Sequence, residues 1–542
     1  MRKSALFSQH LGRNRKPQQA SLLPYFFILL WAVACFVFFQ YFYRHHLAYQ
    51  EQNQIFLLTT GYARSYFQMP AWLSCLAGDF ITQFYYYLYA GPALLTLTLL
   101  TAGDLVRRSW QACGLRRGAF VVAFVAMTLL AVLSFRHDYR LASIISVIGG
   151  AAAFLTLKFL SGRNIAIDIL LYALAAAATY WLFGYGVYIL LIFMLLDAIF
   201  NQHKKDTTSY TKRLAPTLFA LLTALILPPI LSRNCYHLPA KVAYTYPGLG
   251  RFSMPNFELE KQFAIADDYF FGDEVAVIKR VETEKNPSEL YKYFYNLVMA
   301  KRGQLPDVLL KFQPNNLGTF YSIGPETPRL IISNMHELYW TLGDMTFAER
   351  AAMMANVFSP QNRNVRMMKR LAEVNLVTAD SAAAEKYLRI LEHTLAYKKT
   401  AQRMRQSGPV YAQKRALTNA QDTLRVTDNL HLVMMELLDS HPNNAVALDY
   451  LLCSDLLLKD IANFKRDFDR YGQALHRPLH ALYQQALCIY LAGTNAPQAD
   501  WQQYVTSPDV LKQFMQYNQY RGSQAFKNTY WYYFDTAKTP ER

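Results

Sequence analysis

The stretch RHHLAYQEQNQ at residues 44–54 sets Arg44, His45, His46 and Glu51 among amide side chains, directly after the first strongly apolar run of the chain. These are the residue types that exchange protons or meet a phosphate, so the segment reads either as the lip of an active site or as a wet, interfacial loop. Neighbouring side chains on a helix point about 100° apart, which makes His45 and His46 a poor metal-binding pair and favours the interfacial role. Arg64 follows in the same connection, and Asp79 lies in WLSCLAGDFITQF. A carboxylate in so apolar a segment must be paired or line a polar cavity. Common signatures are missing: there is no GxxxxGK[ST], HExxH or GxSxG, and YPGLGRF at 246–252 lacks the third glycine of a dinucleotide loop and reads as a turn. The cysteines (35, 75, 113, 235, 453, 488) show no CxxC or other ligand spacing, so neither a metal nor a cofactor is expected. Cys35, Cys75 and Cys113 lie in or beside apolar runs and read as packing residues; Cys453 and Cys488 read as buried free thiols, with a bridge between them as the alternative.

What positions these residues is a membrane half joined to a soluble half. Residues 1–232 hold 19 Lys and Arg against 7 Asp and Glu, a net of +12, whereas residues 233–542 hold 36 against 31, a net of +5. The basic excess therefore sits among apolar runs, which argues against a nucleic-acid partner and for membrane lipid. Apolar stretches of bilayer-spanning length recur near 24–43, 80–102, 119–135, 141–160, 165–183, 186–200 and 214–232, seven in all. Lys and Arg alternate across the connections between them: fifteen fall on one side, beginning with Arg2, Lys3, Arg13, Arg15 and Lys16, and four on the other, Arg44, Arg64, Arg136 and Arg140. The positive-inside rule then puts the N-terminus in the cytoplasm and everything after the seventh span outside. The long apolar run and the absence of a small-residue cleavage site in FQYFYRHH favour an uncleaved first helix over a signal peptide. Asp104 and Asp138 stand beside arginines and read as their counter-charges.

The expected organisation is a basic tail (1–23), a transmembrane domain (24–232), an irregular connector (233–257) with Pro239, Pro247, Gly248, Gly250 and Pro255, and an extracytoplasmic domain (258–542). The fold class is all-α throughout. Helical periodicity dominates the last part, and three pieces read as helix–turn–helix pairs: 286–312 around Lys301–Gln304, 364–395 around Thr378–Asp380, and 443–471 around Lys459–Asp460. Each has the size of a tetratricopeptide unit, with Ala300, Ala384 and Ala462 at helix contacts. The Trp-Leu-Gly-Tyr set of that repeat is absent, so the domain is TPR-like. Between His393 and Gln421 there are six basic residues and no acidic one; this run reads as a solvated helix face, with a dock for phosphates as the alternative.

In layout, residues 20–232 resemble the GT-C superfamily of polyprenyl-phosphate-sugar glycosyltransferases: seven spans, a long first external loop carrying a carboxylate, interfacial helices after it and a helical outer domain. The resemblance implies that Glu51, eight residues beyond the first span, is the catalytic base. A carboxylate at a low-dielectric boundary has the raised pKa such a base needs. It also implies that Arg44, His45, His46 and Arg64 face the phosphate of the lipid-linked sugar, with Asp79 as a further substrate-binding residue. Members commonly pair two acids, whereas this loop offers Glu51 alone before Asp79. The whole chain also resembles an uncharacterised family of bacterial polytopic inner-membrane proteins with a helical-repeat C-terminal half, through YQEQNQIFLLTTGY, DFITQFYYYLYAG, NLVMAKRGQLPDVLLKF and RLAEVNL. That resemblance implies architecture, not activity.

Three functions follow as expectations. The first is a GT-C-like transferase using a lipid-linked sugar at the outer face of the inner membrane. The second is a non-enzymatic, membrane-anchored TPR-like scaffold that holds envelope proteins through residues 258–542. A transporter is third, since no row of intramembrane carboxylates is visible.

Overall fold

The computed structural model describes residues 23–161, 164–200, 207–312, 319–320, 327–416, 418, 429–472 and 478–538. The basic residues Arg2, Lys3, Arg13, Arg15, Lys16, Arg163, Lys204 and Lys205, part of the charge alternation, lie outside these. Every regular element among the described residues is helical, so the chain is all-α. It divides into two compact units.

The first unit takes the chain up to Arg44, then Gln68–Gly78 and Leu88–Met254. Four of its helices are long and apolar enough to cross a membrane: Leu23–Phe42, Leu141–Leu160, Ile165–Phe183 and Leu214–Tyr236. Ala119–Leu133 and Gly186–Phe200 are apolar but shorter. The helix expected over 80–102 instead runs Ala90–Ala112, after Trp72–Thr82 and a 3-10 turn Gln83–Tyr86. The displacement has a local cause: Pro92 lacks an N–H and fits only the first turn of a helix, so the helix begins beside it. The outward faces carry large apolar side chains, among them Phe26, Leu30, Phe159, Leu170 and Ile226. The inward contacts use small residues. A Cβ on Gly150 would lie 2.1 Å from the Gly186 carbonyl oxygen, and one on Gly186 would lie 2.2 Å from that of Ser146, so Leu141–Leu160 and Gly186–Phe200 touch backbone to backbone. The carboxylates Asp104, Asp138 and Asp197 of this unit are paired, Asp104 with Arg107 and Arg108, Asp138 with Arg136, and Asp197 with Lys158.

The second unit holds Pro255–Arg542 together with His45–Phe67 and Asp79–Tyr87. Most of the stretch 45–87 thus belongs to the second unit, although it lies within the 24–232 segment. Helices Arg329–Leu342, Met345–Val357, Val365–Thr378, Ser381–Glu392 and Lys398–Gln406 pack each against the next, as do Leu430–Ser440, Ala445–Leu457, Ile461–Tyr471 and Ala481–Gly493. Four turns share one device. At Gly272-Asp273, Gly343-Asp344, Ala379-Asp380 and Lys459-Asp460 the first residue is left-handed (φ 78°, 88°, 64° and 58°) and closes one helix. The aspartate that follows caps the next, accepting from the backbone N–H three residues on. At Asp273, Asp344 and Asp460 the backbone N–H also donates to the carbonyl five residues back, the closing bond of a Schellman motif.

Two of the three expected pairs are full hairpins: Val365–Thr378 with Ser381–Glu392, and Ala445–Leu457 with Ile461–Tyr471. The third differs. Glu289–Lys301 is a full helix, but its partner Leu305–Val308 is a single turn. Ala300 and Ala384 are buried at helix contacts, whereas Ala462 is exposed. The connector opens on the π-helical turn Ser232–Tyr236 and contains a short α-helix, Ala240–Thr245. All six cysteines are free, and all but Cys235 are buried.

Candidate functional site

The polar segment that opened the sequence forms the helix Arg44–Gln52, and from His45 onward its partners lie within the second unit. The helix Phe257–Phe270 buries two acids on its apolar face, Glu260 and Asp267, seven residues and two turns apart. Glu260 caps the Arg44–Gln52 helix: one carboxylate oxygen accepts from the His45 N–H at 2.6 Å and the other from the His46 N–H at 2.9 Å. Free N–H groups and the helix dipole make this end a natural anion seat. The His45 Nδ1 lies 2.8 Å from Asp267, whose other oxygen takes the guanidinium of Arg366. Arg366 is buried from water and lies 4.1 Å over the Phe270 ring. Tyr49 stacks on Phe263 with ring centres 4.0 Å apart.

Glu51 sits at the far end of the same helix and is 4% exposed. The Tyr397 hydroxyl donates to it at 3.3 Å. Burial pushes its carboxyl up to about 8, a rise only partly offset by the Arg366 charge and the Tyr397 hydrogen bond. Asp267 shows the opposite balance: burial alone would raise its pKa, but Arg366 and His45 hold it below the usual carboxylate range. Glu51 borders a small cavity lined also by Gln54, Gln83, Thr394 and Tyr397, with room for about one water molecule.

The structure thus places His45, His46 and Glu51 on one helix held by partners within the second unit, and distributes the other expected residues elsewhere. Asp79 accepts from the Tyr66 hydroxyl at 2.9 Å. Arg64 is exposed on the helix Thr60–Ser65, and Arg44 is half-buried at the close of the first unit. Beyond Asn53, the loop is tied down by Asn364 to Asn53 (3.3 Å), Arg363 to the Tyr62 hydroxyl (3.0 Å) and the Leu58 N–H to the His393 carbonyl (2.7 Å). Glu260, Asp267, Arg366 and Tyr397 were not singled out from sequence. A usable signal was present for two of them, since acids at i and i+7 fall on the apolar stripe of their helix. Three of the six basic residues of the run after His393 are engaged within the domain. Arg405 pairs with Glu385 and Glu392, Arg415 donates to the carbonyls of Leu376 and Val377, and Lys414 lies 4.5 Å over the Trp340 ring.

These features define an all-α protein with apolar helices of membrane-crossing length and a helical unit into which a loop between two apolar helices is folded. The chain belongs to the family of unknown function DUF6057, whose pattern it matches over residues 19–537. No curated protein and no solved structure matches it.

Proposed function

We propose that the protein is a membrane-anchored, non-enzymatic scaffold. In this reading seven spans hold it in the inner membrane with its N-terminus in the cytoplasm. A TPR-like helical-hairpin domain then gathers envelope proteins on the outer side. The observation that carries the proposal is the enclosure of Glu51: the carboxyl best placed to act as a base opens onto space for about one water-sized sphere, and a sugar phosphate is many times larger. The histidines and acids around it are occupied in holding the first loop to the helical unit.

A docking face is available. Met353, Met354, Val357 and Phe358 lie on one side of the end of helix Met345–Val357 and are exposed, Phe358 to 77%. Clustered large apolar groups of this kind mark contact surfaces. Exposed substitutions cost little stability, so Met354→Asp with Phe358→Asp leaves folding intact. The double variant is expected to lose both complementation of a deletion phenotype and cross-linking from a photoreactive residue at position 357. Full complementation by it overturns the proposal.

A GT-C-like transferase is the second reading, favoured by one observation: a carboxyl raised to about 8 has the proton affinity of a general base. There Glu51 activates the acceptor, and Arg44 and Arg64 face lipid phosphate.

A further inference from the structure

Three consecutive helices of the second unit converge on a site remote in sequence from Glu51. Leu430–Ser440 contributes His431 from its first turn, Ala445–Leu457 contributes Asp455, and Ile461–Tyr471 contributes Asp467. One ligand atom from each lies within 4.8 Å of the other two. His431 Nδ1 is 3.3 Å from an Asp455 oxygen, and its Nε2 is 3.1 Å from Asp467 Oδ2.

A second observation points to a ligand. Asp467 is 0% exposed and Asp455 is 2% exposed, and among the described residues Asp455 Oδ2 has no hydrogen-bond partner while Asp467 Oδ2 faces only His431 Nε2. Among the described residues, Arg466 also reaches the site, its Nε donating to the other oxygen of Asp467 at 3.0 Å. A buried carboxylate oxygen without a donor is costly, and two buried carboxylates facing one imidazole form a donor set for a cation. Mixed nitrogen and oxygen donors suit Zn²⁺ and its first-row neighbours; Ca²⁺ and Mg²⁺ take all-oxygen shells.

We infer that His431, Asp455 and Asp467 form a binding site for a divalent transition metal of the Zn²⁺ class, which staples three helices together. His431 is partly exposed, so its side gives the ion a path in and leaves a coordination position open to solvent. The competing occupant is a proton alone, with His431 as an imidazolium clip between the two acids.

The test uses the full chain purified in detergent, stripped with a chelator and titrated with Zn²⁺ alone, then separately with Ca²⁺. The expected result is one saturable Zn²⁺ per chain with a rise in the unfolding temperature, and no such rise with Ca²⁺. Losing a ligand outweighs losing an outer partner of one, so His431→Gln is expected to weaken binding by at least ~100-fold. Asp467→Asn should do the same. His431 lies partly at the surface, and its variant keeps the test decisive if Asp467→Asn fails to fold. Absence of saturable binding, or Zn²⁺ binding unchanged in His431→Gln, overturns the site and leaves the imidazolium clip.

Discussion

Burial lifts the Glu51 carboxyl from an ordinary 4.5 to about 8, which ties the stability of the helical unit to pH. A carboxyl whose folded pKa lies above its unfolded one favours the folded chain while it is protonated. Its contribution is whole below about pH 4.5 and is lost as the pH rises through about 8. Glu51→Gln keeps the shape and removes the charge. Thermal unfolding in detergent between pH 6 and pH 9 is expected to show the wild type weakening towards pH 9. The variant should be more stable than the wild type there, with this component of the slope gone. The same residue shows what sequence could and could not reveal. The polar cluster at 44–54 and its place after the first span were legible because charges and amides interrupt an apolar run. Its partners were not: Arg366 and Tyr397 lie more than three hundred residues away, and nothing local marks which arginine is buried. Only the i, i+7 acids of Phe257–Phe270 carried a readable sign.

At the scale of elements, the domain is built on a repeated turn, a left-handed residue followed by a capping aspartate. Glycine fills the left-handed position at 272 and 343, but alanine fills it at 379 and lysine at 459. A side chain there costs roughly 1–2 kcal/mol. Ala379→Gly is therefore expected to stabilise the domain by ~1 kcal/mol, part of the gain being returned to the more flexible unfolded chain. Denaturant or thermal unfolding checks this, and a clear loss of stability contradicts it. Lys459 is a poorer place for the same test, because its ammonium bonds the carbonyls of Phe534 and Ala537. Hairpins 364–395 and 443–471 were legible because 3.6-residue periodicity and Asn or Asp caps agree. The pair at 286–312 was only half legible: Pro306 supports a helix start, yet the helix it opens is a single turn, so apolar periodicity past Val308 was a misleading guide.

For the whole molecule, apolar runs located the helices of the first unit to within a few residues, because a run of that length has few other uses. The exception, 80–102, came from reading continuous hydrophobicity through Gly91 and Pro92, where backbone chemistry resets the helix. That the first loop folds with the helical unit was not legible, since the pairings that hold it are side-chain contacts across hundreds of residues. The proposed orientation has a direct check: a reporter active only outside the cytoplasm, fused after Arg542, is expected to be active, and an inactive fusion alongside an active cytoplasmic reporter there contradicts it. The most direct test of the account is complementation of a deletion strain by the full chain carrying Glu51→Gln, with membrane insertion and protein level monitored. If Glu51 holds structure and the protein acts as a scaffold, the variant restores the phenotype fully. A variant that inserts and accumulates normally yet fails to complement would mark Glu51 as a catalytic residue and contradict the scaffold reading.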